Sequence, residues 1–147
     1  MTPYCISIYD GKELKSFYIL DYKDSNEMMS ESIKYLMKRK YHGYKIYHHN
    51  FGKFDSIFLL NNLINLSDKI YPILRNRNLI ELRFKFNKQY ILYFRDSYLL
   101  LTSSLSKLAK NFKVEKKGLF PFEFVNESHI PLDYVGPIPE YKYYNKK

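Results

Sequence analysis

The chain has 147 residues, of which 46% are hydrophobic and 18% aromatic, so it can build one core and is not a disordered tail. Its 24 Lys and Arg against 15 Asp and Glu give a net charge of +9, which favours nucleic acid over a merely solvated basic surface because aromatic residues are interleaved with the lysines. No apolar run reaches the roughly 18–20 residues of a membrane helix, and the single Cys5 excludes an internal disulfide and a cysteine-based zinc site.

The first half of the chain predicts strands followed by helices. The predicted strands cover residues 5–10, 16–22 and 44–48, and the predicted helices cover 24–40 and 54–66. Asp24 and Glu27 resemble a capping box at the start of the first helix. In the second helix, Ile57, Leu60 and Ile64 recur at helical spacing and are expected to form its buried stripe.

The second half predicts a hairpin, a helix and an irregular tail. Residues 79–86 alternate apolar and charged side chains and lead through a polar turn to a returning strand over 90–96. Ser103 or Ser104 caps a third helix. Prolines recur from residue 118 onwards, so that stretch is predicted to be an extended arm. The expected organisation is therefore a layered α/β domain over 1–117 followed by an arm over 118–147.

The segment from His49 to Asp55 holds the strongest chemical signal. It lies between the third strand and the second helix, and it places Asp55 beside the Asn50 amide and the Phe54 ring. A carboxylate suits a metal ion, an amide suits sugar or phosphate, and a ring stacks under a base. Helix capping alone also favours an aspartate at this position, and His49 has the alternative of bonding a local partner.

The segment over residues 47–58 resembles the second exonuclease motif of family B DNA polymerases, in which Asn is followed after two or three residues by Phe-Asp. It looks most like the protein-primed branch found in phages and in linear plasmids of fungal mitochondria. Residues 95–112, 115–121 and 134–139 are similar to the same branch in matching order, so the resemblance covers nearly the whole chain. The abundance of Lys, Asn, Ile and Tyr is typical of an AT-rich genome, which favours a mitochondrial location.

The resemblance implies a role for each matching residue. Asp55 would be a metal ligand of the exonuclease, and Lys117 the lysine near the scissile phosphate, with Lys116 as the alternative for that role. The residues expected to contact single-stranded DNA are His49, Asn50, Phe54 and Ser97.

The resemblance also shows what is missing from this sequence. Family members hold Mg²⁺ or Mn²⁺ with carboxylates from three motifs, and neither the Asp-x-Glu of the first nor the Tyr-x-x-x-Asp of the third occurs here. The polymerase palm is absent as well. With Asp55 alone, we expect weak or no metal binding, no resident cofactor and no hydrolysis by this chain.

The implied fold is the ribonuclease H-like exonuclease fold without its central first strand. Losing a central strand leaves two open sheet edges, which predicts a rearranged sheet, a strand donated by another chain, or docking onto a large partner. Two functions follow as alternatives. The chain is a non-catalytic fragment of the exonuclease domain that retains a surface for single-stranded DNA, or it is a structural, RNA-binding subunit of an organellar ribonucleoprotein such as the mitochondrial ribosome.

Overall fold

The computed structural model describes residues 2–53, 55–114, 120–127, 130–131 and 133–144. The elements in chain order are β1 (Cys5–Tyr9), β2 (Leu14–Tyr18), α1 (Ser25–Leu36), β3 (Lys45–His48), α2 (Asp55–Leu66), β4 (Lys69–Arg75), β5 (Asn78–Phe86), β6 (Tyr90–Asp96), α3 (Leu105–Asn111) and α4 (Phe122–Glu127). They form two compact units, residues 1–104 and 105–147. The predicted boundary between 117 and 118 lies outside the described residues, so that division stays a prediction. Within the described ranges, no helix is both long and apolar enough to cross a membrane.

The first unit contains two separate sheets. Strands β1 and β2 form an antiparallel pair, and the other four strands follow the order β3-β6-β5-β4, with β3 parallel to β6 and the remaining pairs antiparallel. In this arrangement β1 and β3 each pair with a strand along one edge only, β1 with β2 and β3 with β6. Within the described residues, the other edge of each has no strand partner. A cavity of about 290 Å³ is lined by residues 6–10 of the first sheet and by residues 44–48 of the second. The α/β class is thus confirmed. We call the gap between β1 and β3, which this cavity occupies, the open slot.

The core of this unit joins α1 and α2 to one face of the larger sheet. Its buried residues are Met29, Ile33, Leu36, Tyr41, Phe51, Leu59, Leu63, Leu82, Phe84, Phe86, Leu92 and Phe94. The alternation predicted for the hairpin is confirmed over residues 82–86, since Leu82, Phe84 and Phe86 are all buried. It fails at Ile80, which was predicted on the same face, because the register shifts there and Leu79 packs against the core instead. The N-cap half of the capping box is confirmed, because the Glu27 backbone N–H donates to Asp24 Oδ1 over 2.9 Å. The Glu27 side chain reaches one residue further back, where Oε2 accepts the N–H of Lys23 and not that of Asp24.

Two features of this unit differ from the sequence predictions. The predicted stripe of α2 is wrong, because Ile57, Leu60 and Ile64 are exposed while Leu59 and Leu63 face the core. Strand β4 is the second difference, because no strand was predicted over these residues. Its Pro72 has no N–H for a sheet ladder, but β4 is the edge strand of the sheet, where a proline is tolerated.

The second unit contains α3 and a small aromatic cluster around α4. The Phe124 ring lies 5.4 Å from the ring of Tyr134 and 5.3 Å from that of Tyr143. Pro121 precedes α4, and its carbonyl accepts the Val125 N–H over 3.2 Å, so the proline stands where a helix needs no N–H from it. The prediction of an arm without regular structure is therefore wrong for Phe122–Glu127.

Candidate nucleic-acid site at the loop between β3 and α2

The parallel pairing of β3 with β6 brings two chain segments together at one end of the sheet. His48 is opposite Asp96 in the register, so the loop that follows β3 and the turn that follows β6 lie side by side. The carboxyl ends of parallel strands are where open α/β sheets place their ligands. This geometry brings three of the predicted residues, His49, Asn50 and Ser97, to one place.

Asp96 fixes the shape of the loop. Its side chain is buried, with Oδ1 accepting the backbone N–H of Asn50 over 2.8 Å and Oδ2 accepting that of Gly52 over 3.1 Å. Oδ1 also accepts the N–H of Tyr98, which caps the turn after β6. Asn50 adopts a positive φ of 68°, a conformation that Asn tolerates better than most residues. Asp96 was not among the predicted site residues, although an aspartate at a strand end before a turn is a known signal for such capping.

The side chains of His49 and Ser97 lie within hydrogen-bond distance of each other. The Nε2–H of His49 donates to the Ser103 carbonyl over 2.9 Å, which leaves Nδ1 facing the Ser97 hydroxyl oxygen at 3.2 Å. The Ser97 hydroxyl in turn lies 3.0 Å from the His48 carbonyl, to which it can donate. Both predicted contacts for single strands therefore also hold the loop together, and their roles toward nucleic acid stay predictions.

Asp55 has a different environment at the first position of α2. Its side chain is 47% exposed, and Oδ2 lies 3.3 Å from His48 Nδ1. The His48 ring packs against Phe51, with ring centroids 4.8 Å apart. The other ring nitrogen of His48, Nε2, is buried and has no hydrogen-bond partner within the described part of the chain.

At the end away from His48, the cavity between the sheets is lined by the Asp10 carboxylate and the Tyr41 hydroxyl. The N–H groups of Glu13 and Lys12 donate to Asp10 and lower the pKa of that carboxyl to about 2. The Tyr41 hydroxyl donates to Asp10 Oδ2 over 3.1 Å, and burial raises the pKa of Tyr41 to about 12. At neutral pH this end of the cavity therefore presents a carboxylate and a neutral phenol.

The carboxylates at the loop do not fit a pair of catalytic cations. Both oxygens of Asp96 accept backbone N–H groups, so this carboxylate is already engaged within the loop. The remaining carboxylate at the loop is that of Asp55, and its neighbour is the His48 imidazole. Among the described residues, no cluster of three or more His, Cys, Asp or Glu side chains is arranged to hold a metal ion. The predicted Phe54, Lys116 and Lys117 lie outside the described residues.

The chain is similar to known polymerases over nearly all its length. A family model described as DNA polymerase type B, organellar and viral, matches residues 16–147. A probable DNA polymerase of Neurospora intermedia is 42% identical over 99% of this chain, and one of Ascobolus immersus is 39% identical over 100% of it. A third, from Podospora anserina, is 28% identical over 90%. No solved structure matches significantly.

The matched region is a small part of those polymerases. The chain spans 16% of the length of the Neurospora intermedia protein and 13% of that of the Ascobolus immersus protein. The match over residues 16–147 nevertheless includes the β3–α2 loop and the turn after β6, which are the two segments that Asp96 ties together. The chain belongs to the organellar and viral family of type B DNA polymerases.

Proposed function

We propose that this chain is an interior section of a 3′–5′ exonuclease domain with a ribonuclease H-like fold, from a protein-primed polymerase of mitochondrial location. In this proposal it presents the β3–α2 loop to single-stranded DNA and by itself hydrolyses nothing. One observation carries the proposal: Asp96 uses both carboxylate oxygens to shape the loop, so Asp55 is the carboxylate there that can face a ligand. A two-metal reaction needs more carboxylates than this loop supplies.

The open slot supports an incomplete fold and a protein partner. Residues of β1 and of β3 line one cavity, at the open slot between these two strands. Backbone groups on open strand edges pair readily with an added strand. His48 also lines this cavity, and its buried Nε2 has no partner within the described residues. A strand from another section of the same polymerase, or from another chain, would pair with both edges and is the partner that we propose.

A nuclease assay with a matched variant tests the proposal of catalytic silence. The full chain would be incubated with 3′-labelled single-stranded DNA and either Mg²⁺ or Mn²⁺, beside Asp55→Asn prepared in the same way. We expect no cleavage above the level of Asp55→Asn, because one carboxylate does not seat two cations. Cleavage by the natural chain that Asp55→Asn abolishes would overturn the proposal.

A binding assay on the same preparations tests the retained surface. Asn50→Ala is expected to weaken binding of single-stranded DNA, and Asn61→Ala, which removes an exposed amide from α2, is the matched control. Equal affinities of the two variants would count against the loop as the contact surface.

The second candidate function is a structural RNA-binding subunit of an organellar ribonucleoprotein. Its support is the net charge of +9, which favours a polyanion and requires no active site. Recovery of ribosomal RNA with the native chain would favour this candidate over the first.

A further inference from the structure

The face of the four-stranded sheet opposite the core is basic and aromatic. The register places Lys45, Tyr93, Arg83 and Tyr71 in one row across β3, β6, β5 and β4. The next row contains Tyr47, Arg95, Glu81 and Ile73, and the row beyond the first contains Ile91, Lys85 and Lys69. Side chains alternate between faces along a strand, so these residues share the face that α1 and α2 do not cover with the core cluster.

The tyrosines of this face are accessible and have cations beside them. Tyr47 is 49% exposed and Tyr71 is 42% exposed. The Lys69 ammonium lies 5.1 Å from the centre of the Tyr71 ring, and the Arg83 guanidinium lies 5.9 Å from that of Tyr93. Three of the four strands therefore carry an aromatic ring on this face, Tyr47 in β3, Tyr93 in β6 and Tyr71 in β4. A positive charge lies beside the rings of Tyr71 and Tyr93.

Glu81 organises the arginines of the face and does not neutralise it. The carboxylate is buried, with Oε1 accepting from Arg83 Nε over 2.8 Å and Oε2 from Arg95 Nε over 2.6 Å. Burial alone would raise the pKa of Glu81, but the hydrogen bonds from both arginines outweigh it and lower the pKa. The hydrogen bonds that Arg95 makes to Glu81 and Tyr47 raise the pKa of its guanidinium. The shared Glu81 carboxylate holds both arginine side chains in place on the face.

We propose that this sheet face, which we call the basic sheet face, is a second binding surface for single-stranded nucleic acid. Five cations, Lys45, Lys69, Arg83, Lys85 and Arg95, surround one carboxylate on a surface that also offers three tyrosine rings. Backbone phosphates pair with the cations and unpaired bases stack on the rings, which is the usual combination in sequence-tolerant single-strand binding. A duplex hides its base faces, so the surface selects single strands. The inference does not depend on the loop after β3.

Charge-matched variants of the full chain test this surface. Lys45→Gln/Lys69→Gln/Lys85→Gln removes three cations from the basic sheet face, and Lys12→Gln/Lys15→Gln/Lys23→Gln removes three exposed cations elsewhere in the same unit. The probes are fluorescent oligothymidylate, oligouridylate and a DNA duplex, titrated across a series of salt concentrations. We expect the face variant to lose at least about 10-fold in affinity for both single strands. The slope of log binding constant against log salt concentration should also become shallower by up to about 2, since each lost phosphate contact removes roughly 0.7.

A second pair of variants tests stacking separately from charge. Tyr47→Leu/Tyr71→Leu keeps apolar side chains on the strands but removes two rings, and Tyr9→Leu/Tyr18→Leu is the control with two exposed tyrosines of the β1–β2 hairpin. The face variant is expected to bind each single strand at least about 5-fold more weakly, with an unchanged salt slope. Circular dichroism and urea unfolding establish that each variant folds.

The inference would be overturned by an absence of oligonucleotide binding by the natural chain, by equal losses in the face and control variants, or by duplex binding as tight as that of the single strands. A loss caused by Asn50→Ala alone, with the face variants unaffected, restricts binding to the loop, leaves the proposed function intact and refutes the second surface.

Discussion

The two aspartates beside the β3–α2 loop have opposite environments. Asp96 is 7% exposed and its oxygens accept three backbone N–H groups, from Asn50, Gly52 and Tyr98. Asp55 has a side chain that is 47% exposed, and its neighbour is the His48 imidazole. The Asp96 carboxylate therefore stabilises the loop from inside, while the Asp55 carboxylate lies at the surface.

The difference separates the residue that shapes the loop from the residue that can meet a ligand. A buried carboxylate that accepts several N–H groups makes a loop rigid, because each donor would otherwise be buried without a partner. An exposed carboxylate at a helix start contributes little to folding and remains accessible. Substitution at each position should therefore change different measurements, and the size of each change tests the comparison.

The largest effect is expected for Asp96→Ala. The substitution leaves three backbone N–H groups without their acceptor, at about 1–3 kcal/mol for each one that stays buried. Some of these groups will reach water as the loop rearranges, so we expect the free energy of unfolding to fall by about 3 kcal/mol in a urea titration of the full chain.

Asp96→Asn is the matched variant for this measurement. Asn keeps one acceptor oxygen but brings an amide group toward backbone donors, so an intermediate loss of stability is expected. A loss below about 0.5 kcal/mol for Asp96→Ala, the range of ordinary surface substitutions, would show that Asp96 does not anchor the loop.

A smaller effect is expected for Ser97→Ala, on the same side of the loop. The hydroxyl lies 3.0 Å from the His48 carbonyl and 3.2 Å from His49 Nδ1, so its removal costs about 1 kcal/mol of unfolding free energy. If Ser97 also contacts single-stranded DNA, as the family resemblance implies, affinity should fall beyond what the change in folded fraction explains. Unchanged stability would place Ser97 outside the group of residues that hold the loop.

The sequence predicted the elements whose signals are local. The alternation of β5 has a period of two and fixes which face is buried, and the capping box of α1 needs only Asp24 and Glu27. Strand β4 was not predicted, and its Pro72 fits a strand only at a sheet edge, a position that the local sequence does not reveal. The prediction of the buried face of α2 was wrong because Phe58, Leu59 and Leu63 form a second apolar face on the same helix. Only tertiary packing decides which of the two faces is buried.

The site was predictable only where one short segment carries the signal. Asp55, Asn50 and His49 occur together in the chain, so the motif identifies them, although their roles remain predictions. The part played by Asp96 depends on donors more than 40 residues earlier in the chain, which the parallel pairing of β3 with β6 brings to it. No spacing in the sequence gives that register, and the capping signal at Asp96 does not say which N–H groups it will accept.

The smallest effect on folding is expected for Asp55→Ala. The helix dipole favours a negative charge at the start of α2, so its removal should lower the free energy of unfolding by about 0.5 kcal/mol, well below the loss in Asp96→Ala. The same urea titration gives both values, with Asp55→Asn separating the effect of charge from that of side-chain shape. A loss as large as that of Asp96→Ala would mean that the contact between Asp55 and His48 anchors the loop as well. The loop would then have two structural carboxylates and none left for a ligand, and the assignment of Asp55 as the ligand-facing residue would have to be withdrawn.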